Sequence, residues 1–560
     1  MYNRSCCSKR RQKPKYQDQN MNRKNLQLVT IVLAALIAGL LLGNMIAGRQ
    51  LNREQNALGG LFNSLLKSSN KVDEILKLID SNYVDSTDTK ELTEEMALQL
   101  IAKLDPHSVY IPAKDLEIVN TELEGSFSGI GVQFNIQNDT IMVISVISGG
   151  PSEKAGLLAG DRIVQVDDSV FTGKTITSEK VLRTLRGKDK TKVKLGIRRP
   201  GTKEMLSYTI TRDEIPVTSI DISYMVAPAT GLIKVNKFGD TTYKEFLTAI
   251  ANLKSQGATR FIIDLRENSG GYLERAISMI NEFLPAKQLI VYTEGKSYPR
   301  FDALSDGTGS CINNPVAILI DEFSASASEI FAGAIQDNDR GVVIGRRSFG
   351  KGLVQQQFDL SDGSAVRLTV ARYYTPSGRS IQKPYEKGKS DEYNMDIMNR
   401  YLHGEFASAD SIHNNDSLVY KTLAGRTVYG GGGIMPDIFI PRDTTEFTDY
   451  FAQVVNYAHI YQFAFAYTDR HRAQLATLKD WKAMERHLDQ QDLLNEFVAY
   501  AEKRGVKPNA KQIQLSRTII LTRLKAYISR NVIGDEGFYP ILFKDDPSVS
   551  AAIRELNKKK

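Results

Sequence analysis

The chain has 560 residues, with 72 Lys and Arg against 65 Asp and Glu and a formal net charge of +7. That length exceeds a single core and implies three or four domains of ordinary size. Residues 1–25 hold eight basic residues and one acidic residue, Asp18, so the positive excess sits in the tail, the body is neutral, and a nucleic-acid-binding surface is excluded.

The tail runs into "NLQLVTIVLAALIAGLLLGNMIAG", Asn25 to Gly48, which carries no charge between Lys24 and Arg49. As a helix it is long enough to cross a hydrocarbon layer of about 30 Å. The basic residues precede it, so residues 1–25 are expected in the cytoplasm, 26–48 as the transmembrane anchor, and the rest across the membrane. No small-x-small site closes the apolar run, which favours an uncleaved anchor over a signal peptide. Cys6 and Cys7 then lie on the cytoplasmic side, and Cys311 is alone outside, in the polar-looking stretch "TGSCINN", as a passive thiol without a disulfide partner.

From 49 to 124 the pattern is helical, with Val72, Ile75, Leu76 and Ile79 at steps of three and four, until "LDPHSVYI" breaks it. Residues 125–213 read as short strands with glycine turns and one helix around Ser178 to Leu185, a small β-rich binding module. Residues 214–387 alternate strands ("GLIKVNKF", "RFIIDLR", "LIVYTE", "VAILID", "GVVIG") with amphipathic helices, which predicts an α/β core with a mainly parallel sheet. A polar extension with a glycine-rich loop covers 388–445. The region 446–560 is helical, and its stripes Leu494, Phe497, Val498, Ala501 and Ile513, Ile520, Leu524, Ile528 read as core or interface.

Within the core, "GVVIGRRSFGKG" has the spacing of a phosphate-binding loop, but Gly352 stands where that motif needs a hydroxyl for magnesium, so a nucleotide role is disfavoured. The six histidines are His107, His403, His413, His459, His471 and His487, none of them inside the α/β core, and no GxSxG, HExxH or Cys/His pattern occurs. A Ser-His-Asp hydrolase or a zinc enzyme is therefore hard to build here. A serine can instead be activated by a lysine whose pKa burial has lowered. In "VAILIDEFSASASEIFAGAIQDNDR" a buried strand gives way to Ser324, Ser326 and Ser328 at the start of a helix, where backbone N–H groups face an incoming oxyanion. Ser326-Ala-Ser-Glu329 also fits a capping box, and spacing alone favours the cap over the nucleophile. The SxxK pairs Ser68/Lys71 and Ser380/Lys383 are short enough to arise by chance and are set aside.

Together, "GSFSGIGVQF", "FIIDLRENSGG", "SASASEIFAGAIQDNDR", "GRRSFGKGLVQQQF" and "YYTPSGRSIQ" resemble, in consistent order over about Leu104 to Gln382, the carboxyl-terminal processing peptidases, or tail-specific proteases. The resemblance implies Ser326 as nucleophile, Lys351 as its general base and Gln355 as the residue that orients the lysine. It implies an oxyanion hole from the N–H of Ala327 with that of Gly270 or Gly271, and a core of crotonase-like fold. Ser269 stands where many relatives have proline, which affects the loop but not the glycines. The β-rich module resembles a PDZ domain whose loop Gly129-Ile130-Gly131-Val132 receives a substrate's terminal carboxylate, with Arg186 coupling it to the active site. No metal, nucleotide or organic cofactor is implied.

The sequence thus reads as a membrane-anchored bacterial endopeptidase facing the periplasm. Its expected partners are proteins with exposed C-termini, the inner membrane, further copies of itself and an adaptor, with no nucleic acid. A non-catalytic PDZ-containing envelope scaffold is the alternative.

Overall fold

The computed structural model describes residues 71–558, apart from 122, 123, 138, 148 and 200. The basic tail and the expected anchor at 26–48 lie outside the described residues; among those described, no helix is long and apolar enough to cross a membrane. The chain divides into two compact units, 1–95 and 96–560. The described part of the first is mostly helical, and the sheets all belong to the second.

The centre of the second unit is a six-stranded sheet in the order Ile220–Ala227, Thr230–Val235, Arg260–Asp264, Val316–Ile320, Val342–Gly345, Ile438–Phe439. The first pair is antiparallel and every other pair parallel. The apolar runs become inner strands because both faces are covered. On one face Phe261, Ile263, Ile318 and Val343 pack against the helices Thr242–Ser255, Leu273–Asn281 and Ala327–Asp337. On the other, Ile262, Ala317, Leu319 and Ile344 meet Val549, Ala552 and Leu556 of the last helix, Pro547–Asn557. The far C-terminus is therefore a layer of the core rather than part of a separate helical region.

"LIVYTE", expected among the parallel strands, belongs elsewhere. Leu289–Glu294 pairs antiparallel with Ala365–Tyr374 in a five-stranded sheet that also holds Val109–Ile111, Phe301–Leu304 and Leu353–Asp359. Ile290 and Val291, one on each face, are buried, whereas Tyr292 and Thr293 are half-buried and Glu294 is exposed, so burial falls off along the strand, which an antiparallel sheet accommodates better than a parallel one covered on both faces. This second sheet carries the glutamine-rich strand past the core.

The β-rich module is an antiparallel sheet around Ile141, Val143, Leu195 and Ile197. Val132–Gln137 is one edge of it, and Ser178–Leu185 is its helix. Residues 449–533 are mostly helical, and of the two predicted stripes Phe497, Ala501, Ile520, Leu524 and Ile528 are fully enclosed while Leu494, Val498 and Ile513 are half-buried against them. The stretch expected to be a polar loop contains two short helices, Ser390–Asn394 and Asp396–Leu402, and buries Tyr393 between them and the core.

Candidate active site

Strand Val316–Ile320 ends in a loop that delivers three serines to the start of helix Ala327–Asp337, and the structure separates them by what their hydroxyls do. Ser324 is fully buried: its hydroxyl donates to the Leu265 carbonyl at 2.8 Å and accepts from Asp321 N–H at 2.9 Å. Ser328, also buried, donates to the Asn268 carbonyl at 2.9 Å. Ser326 between them is half-buried and faces a cleft. Its backbone has φ 54° and ψ −114°, a conformation that glycine adopts freely and serine does not.

Glu329 explains how that turn is held. Its carboxylate accepts Ser326 N–H at 2.8 Å, and its own N–H donates to the Ser326 carbonyl at 2.9 Å, so one arm of the expected capping box is present. The same carboxylate accepts the N–H groups of Gly350 at 2.8 Å and Lys351 at 2.9 Å, and the hydroxyl of Ser348. The loop that resembles a phosphate cradle therefore holds an anion that the chain itself supplies. Burial pushes the Glu329 carboxyl up to about 7, against the pull of these donors.

Lys351 Nζ donates to Gln355 Oε1 at 2.9 Å, and Gln355 Nε2 donates to the carbonyl of His107. The bulge at this point falls in the opposite strand, where Val370 is skipped, so the strand that carries Gln355 stays regular, and Lys351 lies in the loop just before it. Burial lowers the Lys351 pKa, and the positive charge of Arg367 lowers it further. The Tyr373 hydroxyl donates to the carbonyl oxygens of Ser326, at 3.1 Å, and of Lys351, which ties the two loops together a second time.

Sequence reasoning missed His107, Glu329's second role and Tyr373. His107 lies outside the α/β core in sequence, yet its carbonyl holds Gln355, and its ring meets the Tyr393 hydroxyl at 2.8 Å. Burial, with Lys351 nearby, pushes the imidazole down to about 4. The one local signal was the break at "LDPHSVYI": Asp105 accepts the N–H groups of His107 and Ser108, both at 2.8 Å, and so turns the chain toward this site.

Ser326, Ala327, Gly270, Gly271, Lys351 and Gln355 line one cleft of about 1020 Å3. A Cβ on Gly270 would stand 2.8 Å from Ser326 Cβ and 3.0 Å from Ala327 N, so only glycine fits there. Gly270 N–H donates to Asn268 Oδ1 at 2.8 Å. The N–H groups of Gly271 and Ala327 have no acceptor among the described residues. The other predicted positions are in the β-rich module. Gly129 ends a strand, Ile130 is buried, Gly131 turns with φ 74°, and Val132 opens the edge strand. Arg186 lies with its guanidinium over the Phe127 ring at 4.3 Å and is not among the residues lining the cleft.

The sequence pattern of peptidase family S41 matches residues 229–389, that of a PDZ domain matches 128–210, and that of a family of unknown function matches 450–534. A carboxy-terminal-processing protease of Bartonella bacilliformis is 37% identical over 339 residues, covering 59% of this chain and 74% of that protein. A probable CtpA-like serine protease of Staphylococcus aureus is 33% identical over 326 residues, covering 58% of this chain and 64% of that protein. Among solved structures, a photosystem II D1 C-terminal processing protease is 28% identical, with 55% of this chain and 88% of that chain covered and a TM-score of 0.32.

Proposed function

The chain belongs to peptidase family S41 and is a serine peptidase of the C-terminal-processing kind with a PDZ domain, and from that premise we propose that it cleaves proteins near their C-termini with Ser326 as nucleophile and Lys351 as general base. Ser326 Oγ attacks the peptide carbonyl, neutral Lys351 takes the hydroxyl proton and passes it to the leaving amine, and water hydrolyses the acyl-enzyme. Gln355 holds the lysine. The N–H groups of Ala327 and Gly271 stabilise the oxyanion, Gly271 rather than Gly270 because the Gly270 N–H is already given to Asn268. The observation that carries this reading is that Ser326 alone of the three serines faces the cleft that also holds Lys351, a half-buried lysine with a lowered pKa.

In the same proposal the Gly129–Val132 loop and the open edge at Val132–Gln137 receive the substrate's C-terminus by strand addition, and the central layers form a crotonase-like core. The charge-free segment after the basic tail anchors the chain in a bacterial inner membrane with this unit in the periplasm. Oligomerisation and delivery of substrates by an adaptor complete the reading.

The test is cleavage of an unstructured protein with an apolar C-terminus by the full-length chain, beside Ser326→Ala and Lys351→Ala, without added metal or nucleotide. Cleavage by the unmodified chain alone supports the assignment. Equal cleavage by all three refutes it. A scaffold predicts no cleavage and no covalent labelling of Ser326 by a serine-directed probe.

A further inference from the structure

Arg367 lines the same cleft as Ser326 and Lys351. It sits on strand Ala365–Tyr374 directly opposite Gln357, and Gln357 shares its face of the strand with Gln355, which holds Lys351. Among the described residues its side chain has one hydrogen-bond partner, the neutral Gln357 Oε1 at 3.0 Å, and no ion pair, although Glu124 and Glu274 line the same cleft. Other enclosed arginines of this unit are treated differently. Arg266, Arg346 and Arg379 are paired with carboxylates, and Arg340 donates to four backbone carbonyls.

A half-buried guanidinium with one neutral acceptor and no ion pair among the described residues leaves donors open to the cleft for an incoming group. It also disfavours the charged form of Lys351 beside it. A fold that places such a group at the reacting centre gains from it when the missing partner arrives with the substrate.

We propose that Arg367 anchors a carboxylate subsite, pairing with a carboxylate of the substrate that lies C-terminal to the scissile bond. This rests on the reading of Ser326 and Lys351 as the reacting pair. The side is set by Lys351, which delivers its proton to the leaving amine, so a group on the face that holds Lys351 stands beside the departing segment. The planar fork of arginine suits a carboxylate held by two parallel hydrogen bonds. The carboxylate has two sources, an Asp or Glu side chain near the cut or the terminal carboxylate of a short departing segment.

The experiment uses the full-length chain in detergent and a peptide spanning a site it cleaves, with Asp, Asn or Lys at each of the first three positions after the scissile bond, each as free acid and as C-terminal amide. Wild type, Arg367→Gln and Arg367→Glu are compared as ratios of kcat/KM. The expected result is a preference of about ten-fold for a carboxylate, carried mostly by KM, as for a hydrogen-bonded charged pair. It is lost in Arg367→Gln and reversed toward the Lys peptide in Arg367→Glu, a reversal that only a folded enzyme can give. Asp over Asn identifies the side chain as the source, and free acid over amide identifies the terminus. No carboxylate preference in wild type, or the same preference in Arg367→Gln, overturns the proposal. The Asn amide peptide measures the parent reading alone: if Ser326→Ala cuts it as well as wild type does, that reading falls and this one with it.

Discussion

The three serines around the helix start give a test in which stability and activity separate. Ser324→Ala removes a buried hydroxyl that serves two backbone groups, Leu265 C=O at 2.8 Å and Asp321 N–H at 2.9 Å. Stranding them costs about 1–3 kcal/mol, or roughly 2–4 °C in thermal midpoint per kcal/mol for a domain of this size. Ser328→Ala loses one bond, to an Asn268 carbonyl that also accepts Ala325 N–H at 3.0 Å, and costs about 0.5–1.5 kcal/mol. Neither hydroxyl faces the chemistry, so both variants keep their kcat.

Ser326 should behave in the opposite way. Its side chain holds no buried partner together, so Ser326→Ala leaves stability within about 0.5 kcal/mol of wild type while cleavage disappears. Ser326→Gly goes further: relief of a φ of 54° is worth about 1–3 kcal/mol, against about 0.5–1 kcal/mol for the freer unfolded glycine, a net gain of about 1 kcal/mol in a dead enzyme. Denaturant midpoints and peptide cleavage on the four variants read both quantities. If Ser326→Ala loses as much stability as Ser324→Ala, the middle hydroxyl is a structural cap. If it keeps its activity, the nucleophile is elsewhere.

With Lys351 as the proposed base, activity should rise with pH through a lysine pKa that burial has lowered; Gln355→Glu puts a negative charge at Nζ, holds the proton on, and moves that rising limb of the pH–rate profile to higher pH. The Glu329 carboxyl, at about 7 against an ordinary 4.5, prefers its proton in the folded state, so its contribution to stability is full below about pH 4.5 and is lost as pH rises through about 7. Urea unfolding of wild type from pH 4.5 to 8 should show that decline, at most about 3 kcal/mol, and Glu329→Gln should lack it. Cys311 is fully enclosed and its thiol is pushed up by burial, so a thiol reagent should leave it unlabelled in the native chain and Cys311→Ala should cleave at the wild-type rate.

Much of the core was legible because inner parallel strands are apolar on both faces and the helices between them are amphipathic; the runs at Arg260–Asp264 and Val316–Ile320 could hardly be anything else. The serine and lysine loops read as chemistry only through the family resemblance, since spacing alone favoured a helix cap. What could not be read was any partnership across the chain. Gln355 and His107 are 248 positions apart, and no local pattern says that the carbonyl of one holds the amide of the other. The sheet membership of Leu289–Glu294 depended on its antiparallel pairing with the distant strand Ala365–Tyr374. The closing of the core by Pro547–Asn557 looked like one more amphipathic helix among many. Gly270 and Gly271 were indistinguishable until Asn268 was seen to occupy the N–H of the first.

In Ser326-Ala-Ser-Glu329 the capping carboxylate and the proposed nucleophile belong to the same four residues. A capping carboxylate normally satisfies N–H groups of its own helix start. Glu329 also satisfies two N–H groups of the lysine loop, from Gly350 and Lys351. An anion in a glycine-rich loop would ordinarily be a phosphate; here it is a side chain fixed three residues from Ser326. The consequence is geometric. Ser326 and Lys351 lie in loops that follow different strands, Val316–Ile320 and Val342–Gly345, and neither turn is rigid by sequence, one being held at an unfavourable φ and the other built on glycines. Their backbones are tied to a single buried carboxylate on one side and to the Tyr373 hydroxyl on the other, so neither loop can shift without breaking bonds in both. A Ser/Lys pair has no third imidazole partner to correct its alignment, and a misplacement of about 1 Å costs on the order of 100-fold in rate. Glu329 is thus the point at which the fold, rather than the two side chains themselves, sets the distance between the proposed nucleophile and its proposed base.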